Sequence, residues 1–134
     1  MRIIGIELDS NLMNYVVAEG TRGDFAVKSA NRLTLSETRS RSALVSFQDG
    51  LKALFNSESP DILAIKDKPE TGRMRAGSAA LKMEALALAN APCEVDFVSG
   101  ARVNHVDETD DSLYAYLQPA LKTALAALER SEEG

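Results

Sequence analysis

Cysteine and histidine are almost missing from this sequence: Cys93 and His105 stand alone in 134 residues. One cysteine forms no intrachain disulfide and builds no Cys-based zinc site. One histidine excludes a His-rich metal site. Cys93 therefore reads as a buried structural thiol, the usual role of a free cysteine without an activating neighbour. An excess of basic charge is also missing. Acidic residues outnumber basic ones, 20 to 15, for a net charge of −5, which as a bulk property does not point to tight nucleic-acid binding. No apolar run approaches the roughly 20 residues of a membrane span. No secretory pattern precedes the strand-like start at Arg2, Ile3 and Ile4. The expectation is a cytoplasmic protein that does not meet the membrane.

What is present suits one globular domain over residues 1–134, since 45% of the residues are hydrophobic and 26% charged. The stretch from Met1 to Leu8 predicts a buried strand, with Ile3, Ile4 and Ile6 around Gly5 and with Glu7 near its end. A carboxylate there must be paired, bind a metal or face a cleft. Asp9-Ser10-Asn11 reads as a turn, Asn14 to Glu19 as a second strand, and Gly20 to Asp24 as a hairpin. Phe25 to Leu35 predicts a third strand. Its alternation weakens over Lys28 to Arg32, which suggests a bulge or an edge position. Leu44, Phe47, Leu51, Leu54 and Phe55 share one helical stripe.

The stretch from Asp61 to Asn90 combines a short strand ending in Lys66, a loop over Asp67 to Ala76, and a helix from about Gly77. The loop carries Lys68, Arg73 and Arg75, and cations gather from Lys66 to Lys82. A charged strand end followed by such a loop and a helix start is where α/β sheets place their sites, and it suits anions. Alanine and leucine all round that helix predict a buried one, within which Glu84 needs a partner. Glu94 to Val98 predicts a fifth strand, and Val103 to Val106 a short helical turn. The acidic run Asp107 to Asp111 predicts the start of a last helix capped by Asp110 or Asp111, with Pro119 kinking or splitting it and a frayed tail over 130–134.

The order is β-β-β-α-β-α-β-α. Short turns make the first three strands antiparallel, and right-handed helical crossovers add the others in parallel. The expectation is an α/β fold with a five-stranded mixed sheet and helices on both faces. This order resembles the ribonuclease H-like fold. The opening IIGIELDS is similar to the first strand of RuvC-type crossover-junction resolvases. The stretch AIKDKPETGRMRAGSAALKMEAL, with Gly77, Lys82 and Glu84, resembles more closely a small bacterial family of unknown function with that fold. For nucleases of the fold, the resemblance implies carboxylates from the first strand, the end of the fourth strand and the start of the last helix. Together these would hold two divalent cations about 3.5–4 Å apart.

In those terms Glu7 takes the first position, Asp107, Asp110 and Asp111 offer the third, and Lys66 stands at the second. An ammonium there removes a ligand and opposes metal, so Lys66 is expected to pair with Glu7. The primary expectation is a domain without metal or other cofactor that binds a phosphate-bearing ligand, nucleic acid or nucleotide. Its residues would be Glu7, Lys66, Lys68, Arg73, Arg75, Lys82 and Glu84, with Glu7 and Lys66 the pair at which any catalysis would occur. The enzyme alternative is a Mg²⁺- or Mn²⁺-dependent nuclease using Glu7 with Asp107, Asp110 or Asp111. A third reading is an assembly domain in which the last helix or the third-strand edge pairs two copies as a homodimer.

Overall fold

Ile3, Ile4 and Ile6 are all fully buried, so the first strand needs cover on both faces and a strand on either side. In the computed structural model, which describes residues 1–133, this strand, β1 (Arg2–Asp9), lies at the centre of the sheet. β2 (Leu12–Gly20) and β3 (Phe25–Thr34) follow as an antiparallel meander. The two turns use positive φ, 55° at Ser10 and 124° at Gly20. β4 (Ile62–Lys66) pairs parallel to β1, and β5 (Glu94–Val98) parallel to β4, giving the order β3-β2-β1-β4-β5. The crossovers run through α1 (Arg41–Glu58), capped by the Ser40 hydroxyl on the Ala43 amide, and α2 (Ser78–Asn90).

Because strand side chains alternate, β1 feeds two cores. Ile4, Ile6 and Leu8 pack with Phe47, Leu51 and Phe55 of α1 and with Ala80, Met83 and Ala87 of α2. Ile3 faces the other way and joins Val16, Ala18, Ala64 and Val98 under α4 (Gln118–Glu132), which contributes Leu121, Ala124, Leu125 and Leu128. Helices therefore cover both faces, as the sequence predicts. Alternation places Gly5 and Glu7 on the α4 side.

β3 departs from simple pairing. Val17 lies opposite Ser29 and Ala18 opposite Val27, so Lys28 is left over as a bulge on this edge strand. Arg22, in the β2–β3 hairpin, ties that end of the sheet to the far end of α4. Its guanidinium donates to both oxygens of Glu108 at 2.9 Å and to Glu129, and its amide donates to Glu132 at 2.7 Å.

Several local expectations are corrected. α2 buries only one stripe, and Leu88 on its outer side is 50% exposed. Alanine is a strong helix former that costs little in water, so an alanine-rich pattern does not require burial on all sides. Cys93 is half-buried rather than buried, against the α1/α2 core. The short helix α3 begins at Gly100 and ends at Asn104, capped by the Ser99 hydroxyl on the Arg102 amide. The last helix does not start at Asp110 or Asp111. A 3₁₀ turn, Ala115–Leu117, leads into α4, and Pro119 sits in the first turn of α4, where its missing N–H is no loss. Pro119 thus opens the helix instead of kinking it. α4 then continues through Glu132; Gly134, the last residue of the predicted tail, lies outside the described residues. Among the described residues, no helix is long and apolar enough to cross a membrane.

Candidate functional site

At the C-terminal end of β1, one step beyond the Ile6–Ile65 pair, the side chains of Glu7 and Lys66 meet. Lys66 Nζ lies 3.5 Å from Glu7 Oε2, and the two side chains are 29% and 17% exposed. The pair is therefore partly desolvated yet open to a ligand. The same row continues across the sheet. Glu7 is opposite Asn14 on β2, and Asn14 is opposite Arg32 on β3. Asn14 is buried, and its Oδ1 accepts from Arg32 Nε at 3.2 Å. The Arg32 guanidinium carbon sits 3.9 Å from the centre of the Tyr116 ring. Arg32, Asn14, Glu7 and Lys66 thus form a polar row on the α4 face, just past the point where Ala120 closes over Gly5.

Asn14, Arg32 and Tyr116 were not among the residues singled out from sequence. Arg32 could be found only by recognising the bulge. Without it, Asn31 would fall opposite Asn14, and Arg32 would point to the other face.

The remaining predicted residues are dispersed. Lys68 is half-exposed beyond β4, and Arg73 and Arg75 are exposed on the loop. Arg75 Nη1 donates to the Gly72 carbonyl at 3.2 Å, and the loop closes where the Ala76 amide meets the Pro69 carbonyl at 2.6 Å. Lys82 donates to the Thr38 carbonyl at 2.6 Å, in the link between β3 and α1. That hydrogen bond ties Lys82 to the β3–α1 link. Glu84 has acidic neighbours in place of the partner that burial calls for. Burial first, then the Glu70 and Asp67 carboxylates, push the Glu84 carboxyl above its usual range.

A raised carboxyl favours the protonated folded form, so its ionisation at neutral pH opposes folding. Glu84→Gln is therefore expected to raise the melting temperature at pH 7. The gain should shrink as pH falls through the folded-state pKa and the wild-type carboxyl takes up its proton. Thermal melts from pH 4 to 8 test this, and a gain that grew toward acid would contradict it.

Two members of the acidic run have partners of their own. Glu108 is held by Arg22, near Met1 at the opposite end of the sheet. The Asp110 carboxylate accepts from the amide and hydroxyl of Ser112 at 2.9 and 2.5 Å. Its backbone is stitched to Gln118 through two hydrogen bonds of 3.2 and 2.7 Å. The first turn of α4 carries no acid. Among the described residues, no group of three or more His, Cys, Asp or Glu side chains is arranged to hold a metal ion. Among the described residues, Glu7 is thus not gathered with two or more of Asp107, Asp110 and Asp111. An ammonium beside Glu7 and no acid at the start of α4 do not fit a two-metal centre.

A family model described as "Protein of unknown function (DUF3010)" matches residues 1–127. The chain belongs to the DUF3010 family. No curated protein gives a significant match. This DUF3010 chain is similar to several solved structures. Thermus thermophilus RuvC in complex with a Holliday junction substrate aligns at a TM-score of 0.72 and 12% identity, covering 100% of this chain and 96% of that one. Fowlpox virus resolvase, in complex with substrate Holliday junction DNA, aligns at 0.58 and 9%, covering 98% and 99%. The yeast mitochondrial Holliday junction resolvase aligns at 0.54 and 13%, covering 97% and 82%. At such identities the likeness carries the fold, and the fold is ribonuclease H-like, of the RuvC kind.

Proposed function

We propose that this protein is a RuvC-like domain that binds nucleic acid through its phosphates and does not use a two-metal nuclease centre. The observation that carries this reading is the Lys66 ammonium 3.5 Å from Glu7, at the β4 end of the polar row. A carboxylate that holds a lysine in place leaves the ammonium's other donors for an anion. Arg32 supplies a second cation along the row, and Lys68, Arg73 and Arg75 stand beyond β4. Structural neighbours solved with Holliday junctions lend support, because they place branched DNA among the ligands of this fold. A free nucleotide would engage only part of the row, so a polymer fits it better.

Binding on an acidic body must be weak and salt-sensitive. The test is fluorescence anisotropy with labelled single-stranded and four-way-junction DNA, in EDTA, across a salt series. Three or four phosphate contacts with a single strand give a slope of log affinity against log salt of about −2 to −3. Affinity indifferent to salt would sink the reading. Cleavage that appears on adding Mg²⁺ or Mn²⁺ would restore the nuclease alternative.

A further inference from the structure

Two of the three tyrosines in the chain sit together on the surface beside the polar row. The rings of Tyr114 and Tyr116 are stacked, 5.7 Å between centroids and 9° from parallel. Tyr116 is 39% exposed, and Tyr114 is 73% exposed. Most of the Tyr114 ring therefore meets water, and its packing adds little to the fold.

The pair is nonetheless firmly placed. Leu117 behind it is buried in the α4 core, and the Leu117 amide donates to the Tyr114 carbonyl at 3.0 Å. The Gln118 side chain donates to the Asp110 and Leu113 carbonyls and pins the preceding segment. Arg32 joins this platform to the site, with its guanidinium over Tyr116 and its Nε on Asn14. From Arg32 to Lys66 the row crosses three strand spacings, about 14 Å.

We propose that Tyr114 and Tyr116 form a stacking platform for an unpaired base of a single-stranded nucleic acid whose phosphates lie along the Arg32–Lys66 row. The proposal rests on the nucleic-acid reading of that row. A cationic track flanked by exposed aromatic rings is the general composition of single-strand sites, because every base offers a π-face whatever its sequence. A ring pair already stacked and braced by a cation is preorganised for a further ring. Bases within a duplex are already stacked on each other, so the platform selects single strands and open junction ends over closed duplex.

The experiment uses a single-stranded oligonucleotide carrying one 2-aminopurine, titrated with the full chain at low salt. Stacking on tyrosine is expected to quench the probe. Tyr114→Ala should abolish the quench and weaken binding about tenfold, whereas Tyr114→Phe should keep both. Lys66→Ala, run alongside, separates the two levels of the argument. If binding depends on Lys66 but Tyr114→Ala quenches and binds like wild type, the platform is refuted and the phosphate-binding row stands. If the wild-type chain binds no oligonucleotide, both are refuted. Melting curves for each variant confirm that an unaltered fold underlies the comparison.

Discussion

Gly5→Ala is expected to destabilise the domain by about 3 kcal/mol or more, because overpacking here meets backbone that cannot step aside. A Cβ on Gly5 would lie 2.2 Å from the Ala120 carbonyl oxygen and 2.8 Å from both the amide nitrogen and the Cβ of Ala124. These atoms belong to α4, whose Leu121, Leu125 and Leu128 are fixed in the core beneath it. Relief would require the whole helix to lift from β1, exposing that face of the sheet. A fall in melting temperature on the order of 10 °C is expected. Gly100→Ala is the matched control, since an added Cβ there meets nothing within 4 Å. Circular dichroism melts of the two variants decide the matter, and equal melting temperatures would refute the close-approach account.

The second large effect concerns Lys66. Lys66→Glu removes the cation at the β4 end of the row and sets two carboxylates side by side, where the wild-type pair is 3.5 Å apart. Nucleic-acid affinity should fall at least tenfold, and the salt slope on a single strand should flatten by about 0.7 for the lost phosphate contact. The same change gives Mn²⁺ two neighbouring carboxylates, so weak metal binding should appear in a calorimetric titration. Cleavage should not follow, because the first turn of α4 still supplies no acid. Unchanged anisotropy curves would show that Lys66 does not touch the ligand. Metal-dependent cleavage by this variant would show that another carboxylate can reach the site.

What could be read from sequence, and what could not, divides along physical lines. The sheet was legible because each strand is a short apolar run between strong turn residues. The meeting of Glu7 and Lys66 was legible through the resemblance, which implies that the ends of the first and fourth strands share one site. The start of the last helix was misread because five residues from Asp107 to Asp111 look like a helix N-terminus, and carboxylates do favour one. Pro119 outweighed them, since it is tolerated in a first turn and not in an interior. The outer side of α2 was misread because alanine serves helix formation and burial equally well. The weakened alternation over Lys28 to Arg32 signalled the bulge but not the residue at which it falls, and that residue decides which face Arg32 takes.

That bulge also changes what the edge of the sheet offers to another chain. β3 is an edge strand of ten residues, long enough to offer its free backbone groups to another chain in the manner of an amyloid ladder. At Lys28 the ladder is interrupted, and the lysine stands exposed with its ammonium 3.6 Å from Glu19. An incoming strand would have to match the kink and accommodate the charge. The feature that brings Arg32 into the polar row is therefore also of the kind that discourages edge-to-edge pairing.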